Sequence, residues 1–149
     1  MRKSIADWVL IALTIAAIVA VGIYLIIAWG SIPDKIPTNY DFSGNITSYG
    51  GKTNIIAAYV MDIVVALSIL IASNFPKSWN IPGKAKMDAK TFIAIKYMLE
   101  GMALIFALFF GYLIVIMTKL IVLKAVVAIV FIALLFVVSI LPFVIPKFL

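Results

Sequence analysis

The feature that most limits this chain is a set of apolar runs, each close to the length a helix needs to cross a bilayer. A helix rising 1.5 Å per residue spans a hydrocarbon layer of roughly 30 Å in about 20 residues. Four such runs fit the sequence, at approximately 8–28, 55–75, 97–118 and 123–145. Runs of this length exclude short buried strands. Apolar residues make up 66% of the 149 positions and charged residues 12%, against roughly 45–50% and about 25% in soluble domains. A single water-soluble core of this size could not hide that much apolar surface. The expected fold is therefore an all-α integral membrane protein, one four-helix domain over residues 1–149. The third and fourth runs are divided at Lys119 and Lys124, because two lysines so close together suit a surface turn better than mid-bilayer. Arg2 and Lys3 before the first run also fit a signal peptide, but the run's length and the lack of an Ala-x-Ala site favour a retained helix.

Orientation follows from lysine and arginine near the helix ends. Arg2 and Lys3 precede the first helix, and the loop at 76–91 carries Lys77, Lys84, Lys86 and Lys90. The loop at 29–53 has only Lys35 and Lys52, offset by Asp34 and Asp41. Both termini and the basic loop are thus expected in the cytoplasm, and the 29–53 loop outside, in a multi-pass protein of the cell membrane. Lys119 and Lys124 run against this count. The net charge of +6 is explained by attraction to anionic lipid, and no basic stripe interleaved with aromatics suggests nucleic acid.

The chain has no cysteine and no histidine. That removes thiolate chemistry, imidazole or thiolate metal sites and the commonest general base. No enzyme activity, cofactor or metal is expected. In the outer loop, Gly51-Lys52-Thr53 resembles the end of a phosphate-binding loop, but Ile46 stands where its leading glycine belongs. Asn39, Asp41, Ser43, Gly44 and Asn45 follow calcium-loop offsets, yet Gly50 replaces the bidentate glutamate. Pro33 and Pro37 stiffen the loop, and Ser43-Gly44-Asn45 and Tyr49-Gly50-Gly51 are turn signals. With Ile36, Tyr40, Phe42, Ile46 and Tyr49 available to pack, an ordered cap is expected.

The stretch from Trp29 to Lys52, with its Ile-Pro-Asp-Lys-Ile-Pro-Thr-Asn-Tyr-Asp-Phe-Ser-Gly-Asn core, resembles the signature of a small membrane domain of unknown function. The same domain forms the amino-terminal part of SdpI-type immunity proteins. Pro33, Asp34, Ile36, Pro37, Thr38, Gly44 and Lys52 match that signature directly. Ile32 replaces a leucine, Asn39 the usual histidine and Tyr40 a phenylalanine. The resemblance implies a membrane immunity or signalling component that binds a secreted peptide or a membrane protein without catalysis. Its outer-loop recognition residues would be Pro33, Asp34, Pro37, Thr38, Asn39, Tyr40, Asp41, Gly44 and Lys52.

Within the membrane, Asp62 lies about 12 Å below the outer end of the second helix by helix rise. A carboxylate there should face protein or water. Tyr24 and Tyr112 are expected near its level, either able to donate a hydrogen bond. An intramembrane site of Asp62, Tyr24 and Tyr112 would suit a small proton- or cation-coupled transporter or channel, acting as a homo-oligomer. A structural subunit of a larger membrane complex is the third reading. Glu100 is expected at the headgroup surface, able to meet Lys96 at i,i+4, and Asp7 is expected to serve as a favourable charge at a helix amino terminus.

Overall fold

In a computed structural model, which describes residues 3–119 and 124–147, the longest helix organises the rest. Helix α3 (Ala89–Thr118) packs against α1 (Ile5–Ala28), α2 (Asn54–Ser73), α4 (Ala125–Ser139) and the short α5 (Leu141–Val144). The chain is mostly helical, and four helical segments are long and apolar enough to cross a membrane. These are Ile5–Ser31, Asn54–Ser73, Ala89–Thr118 and Val126–Lys147. The third begins at Ala89 and not at 97, so Lys90 and Lys96 belong to the helix and the connecting loop is shorter than the expected 76–91. Position 123, the expected start of the fourth, lies outside the described residues.

Helix α3 can serve as the hub because one of its faces is narrow. Ala103, Ala107 and Gly111 are buried on it at helical spacing. A Cβ added at Gly111 would lie 2.8 Å from the Val21 side chain, so the missing side chain is what lets α1 approach. Small residues of this kind drive helix association where lipid removes the usual hydrophobic gain. Helix α4 is the opposite case. It is almost entirely apolar, none of its described residues is buried, and its Phe131 ring stacks on Phe109 of α3 at 3.9 Å and lies edge-on to Phe106. Such an apolar surface suits lipid contact.

The caps are set locally. Ser4 and Asp7 form a capping box at the start of α1, satisfying two otherwise unpaired N–H groups. Asp88 accepts from the Thr91 N–H at 2.9 Å to start α3. Trp79 is buried between α2 and α3. Its indole N–H donates to the Ala72 carbonyl at 2.6 Å and its ring meets Phe92, bracing the turn between α2 and α3.

The loop between α1 and α2 is ordered, as expected, but as a β-hairpin. Strands β1 (Lys35–Tyr40) and β2 (Ile46–Gly51) pair antiparallel, with Lys35 opposite Gly51 and Tyr40 opposite Ile46. Its base is the core of the hairpin end of the bundle. Ile36 and Ile55 are fully buried together with Ile32, Leu25, Ile114 and Met117. Because Ile36 joins the hairpin to three helices, Ile36→Ala should lower stability by about 2–4 kcal/mol, in the usual range for a large-to-small change in a core. Unfolding titrations in mixed detergent, followed by helix content, measure this.

Candidate functional site

The hairpin divides its residues between holding itself and facing outward. The backbone reverses at Asp41 to Asn45. The Asp41 N–H donates to the Asn45 carbonyl at 2.9 Å, and the Asp41 carboxylate accepts from the Asn45 N–H at 2.8 Å. Gly44 sits at φ 85°, the left-handed region in which a side chain is strained. The register slips between Pro37 and Tyr40. The Asn39 side chain spans this irregularity, donating to the Ser48 hydroxyl at 2.6 Å, while Thr38 and Ser48 share a hydrogen bond at 3.2 Å. Gly50, read from the sequence as a turn residue, lies within β2. A Cβ there would fall 2.7 Å from the Thr38 methyl and 2.8 Å from the Asn54 amide nitrogen.

Several residues expected to recognise a ligand are thus committed to the fold. Pro37 and Gly44 are buried. Lys52 is half-buried and donates to the Trp29 carbonyl at 2.7 Å, its ammonium lying 4.6 Å from the Trp29 ring centre. It caps the end of α1, where unpaired carbonyls and the negative end of the helix dipole favour a cation. Burial and the neighbouring Tyr112 and Tyr49 push the Tyr40 phenol above its ordinary value. Pro33, Asp34, Asn39 and Asp41 remain exposed. So do two aromatics left out of the expected recognition set: Phe42, fully exposed at the tip, and Tyr49, 59% exposed on β2.

Beneath the hairpin, α1 and α2 flank an apolar groove of about 470 Å³ lined by Gly22, Leu25, Ile26, Trp29, Ile56 and Tyr59. Trp29, which carries Lys52, thereby joins the hairpin base to the groove. At Gly22 the Tyr59 hydroxyl lies against α1 and donates to the Ile18 carbonyl at 2.7 Å.

Asp62 is 2% exposed and neither carboxylate oxygen has a hydrogen-bond partner. The expected donors go elsewhere. Tyr24 bonds the Thr118 hydroxyl at 2.7 Å. Tyr112 lines a separate cavity between α3 and α4. Part of the difference is depth: Tyr24 and Tyr112 lie about 6 and 9 Å from the hairpin ends of their helices, and Asp62 about 12 Å from its own. Asp62 instead shares a face of α2 with Tyr59 and Ala66, which pack with Ile18 and Ala107.

At the far end of the bundle the sequence reading of Glu100 is overturned. Glu100 is fully buried, as are Asp7 and Lys96 to within 2% and 3%. Lys96 pairs across the interface with Asp7 at 2.8 Å rather than along its own helix with Glu100. Ser4 and Tyr97 share a hydroxyl contact of 2.9 Å beside it. The early start of α3 is the cause, since it turns positions 96 and 100 from a helix end into its interior.

A Cβ at Gly22 would lie 2.5 Å from the Tyr59 hydroxyl oxygen. Gly22→Ala should therefore cost about 1–3 kcal/mol, as overpacking does, and most of that cost should vanish in a Tyr59→Phe background. Equal costs in the two backgrounds, measured by thermal unfolding in one detergent, would contradict this contact.

Residues 9–61 match the model of a family described as a domain of unknown function, DUF1648. The matched segment takes in most of α1, the whole hairpin and the first turns of α2. No match was found among curated proteins or solved structures.

Proposed function

We propose that this chain is a non-catalytic recognition component of the cell membrane, of the immunity or signalling kind that its hairpin signature resembles. Its hairpin faces outward and takes a hydrophobic peptide or a membrane-protein segment. The single observation that carries this reading is the hydrogen-bonded hairpin with Phe42 fully exposed at its tip. An apolar side chain held in water on an ordered turn is pre-organised for burial by a partner, and pre-organisation cuts the ordering cost of binding. The groove between α1 and α2 supplies a second apolar surface at the hairpin's base, lined by Trp29, Ile56 and Tyr59. Exposed Asn39 and Asp41 lie near the tip to set orientation. The excess of lysine and arginine at the other end places the hairpin outside the cell in this reading.

The test is survival. Cells expressing the chain are challenged with a panel of secreted, membrane-active peptides. Wild type is expected to protect against at least one, Phe42→Ser to reduce that protection at least tenfold, and Asp62→Asn to leave it unchanged. Protection that ignores Phe42, with the variant present at wild-type level in the membrane, would contradict a hairpin-borne function.

A second reading rests on Asp62, whose unpartnered carboxylate inside the bundle suits a proton- or cation-coupled transporter or channel acting as a homo-oligomer. In liposomes under an imposed pH and potential gradient, that reading expects a flux abolished by Asp62→Asn and retained by Phe42→Ser. Absence of flux in the wild type would remove it.

A further inference from the structure

The cluster at the end of the bundle opposite the hairpin holds more carboxyl groups than its cation can balance. Asp7 reaches Lys96 at 2.8 Å through Oδ2, which also accepts from the Ser4 N–H. Its other oxygen, Oδ1, has no hydrogen-bond donor, and neither has either oxygen of Glu100. The Asp7 and Glu100 side chains are nevertheless within hydrogen-bonding reach of each other. They meet acceptor to acceptor, with no donor hydrogen between them unless one carboxyl carries a proton.

The charge count points the same way. Lys3, ahead of α1, and Lys96, on α3, are the cations that act on Glu100, and Asp7 is the anion. Among the described residues, α2, α4 and α5 bring no charged group to it. Lys3 lies against the exposed face of Trp8, 4.6 Å from its ring centre, outside the buried cluster. Among the described residues, one ammonium within it faces two carboxyl groups, the Asp7 side chain 97% buried and Glu100 fully buried. Two ionised carboxylates would leave one buried negative charge unbalanced, the arrangement that low-dielectric surroundings tolerate least. One proton between them balances the charge and supplies the missing donor in a single step. A metal cation in the same place would have to share it with the Lys96 ammonium.

We propose that Asp7, Lys96 and Glu100 form a proton-binding site, in which one proton is shared between the Asp7 and Glu100 carboxyl groups and Lys96 neutralises the charge that remains. The bound proton joins α1 to α3. This site is distinct from both the hairpin and Asp62, and it stands whichever reading of function holds.

Glu100 is the only glutamate of the chain, which allows a test on the native sequence. Protein labelled with ¹³C at the glutamate side-chain carboxyl is placed in lipid vesicles at neutral pH and its infrared spectrum recorded. The expected result is a protonated-carboxyl C=O band that shifts with the label, and that is lost in Asp7→Asn because Glu100 is then free to ionise against Lys96. Circular dichroism of the same vesicles checks that Asp7→Asn keeps its helix content. A label that moves only carboxylate bands in the wild type overturns the proposal. So does a protonated band that survives in folded Asp7→Asn, since the proton would then belong to Glu100 alone.

Discussion

The ion pair between Asp7 and Lys96 is the contact on which the arrangement of this bundle depends. Apolar helices in lipid gain little from hiding apolar side chains against one another, so their register must come from close packing and polar contacts. The α1–α3 interface has both. At the hairpin end Gly111 lets α1 approach α3, and at the other end Asp7 and Lys96, 2.8 Å apart, fix which turn meets which. Removing the Lys96 ammonium would strand the Asp7 carboxylate out of water, which is far more costly than the modest net worth of the intact pair.

The hairpin depends on that register at one remove. Its base is built from Ile32 and Ile36 against Leu25 of α1, Ile55 of α2 and Ile114 of α3, so it can close only when the three helices end at matching heights. Lys52 completes the joint by donating to the carbonyl of Trp29, the residue that follows the first helix. What is left free by this construction is the tip, with Phe42, and the outer face of β2, with Tyr49. A surface held this firmly at its root would need little further ordering to bind, and the proposed recognition role rests on that.

The helices were legible in the sequence because length and hydropathy are set by the thickness of lipid, which no tertiary contact overrides. The ordered cap was legible too, from Pro37, Gly44 and the apolar residues around them, although its strands were hidden by two prolines and by a Gly-Gly pair that reads as a turn. Gly50 is glycine because Thr38 and Asn54 crowd it, a fact that belongs to packing and leaves no local signal. The buried charge cluster was not legible. Lys96 and Glu100 stand where a helix beginning at 97 would place surface groups, and only the start at Ala89, under an Asp88 cap, carries them inside. Their partner Asp7 sits at the other end of the sequence in a capping box that explains it fully on local grounds. Asp62 was identified, but its expected neighbours Tyr24 and Tyr112 lie about a turn and about half a turn nearer the hairpin end, and helix rise says nothing of which face is turned inward.

The most direct test of the account is a double-mutant cycle on Asp7→Asn and Lys96→Met, carried out in the Glu100→Gln background so that Glu100 cannot stand in for Asp7. Stabilities are measured by reversible unfolding in mixed detergent. A coupling energy above about 1 kcal/mol is the predicted result, as expected for residues in direct contact. Costs that simply add, to within about 0.5 kcal/mol, would show that the pair does not fix α1 on α3 and would contradict the account.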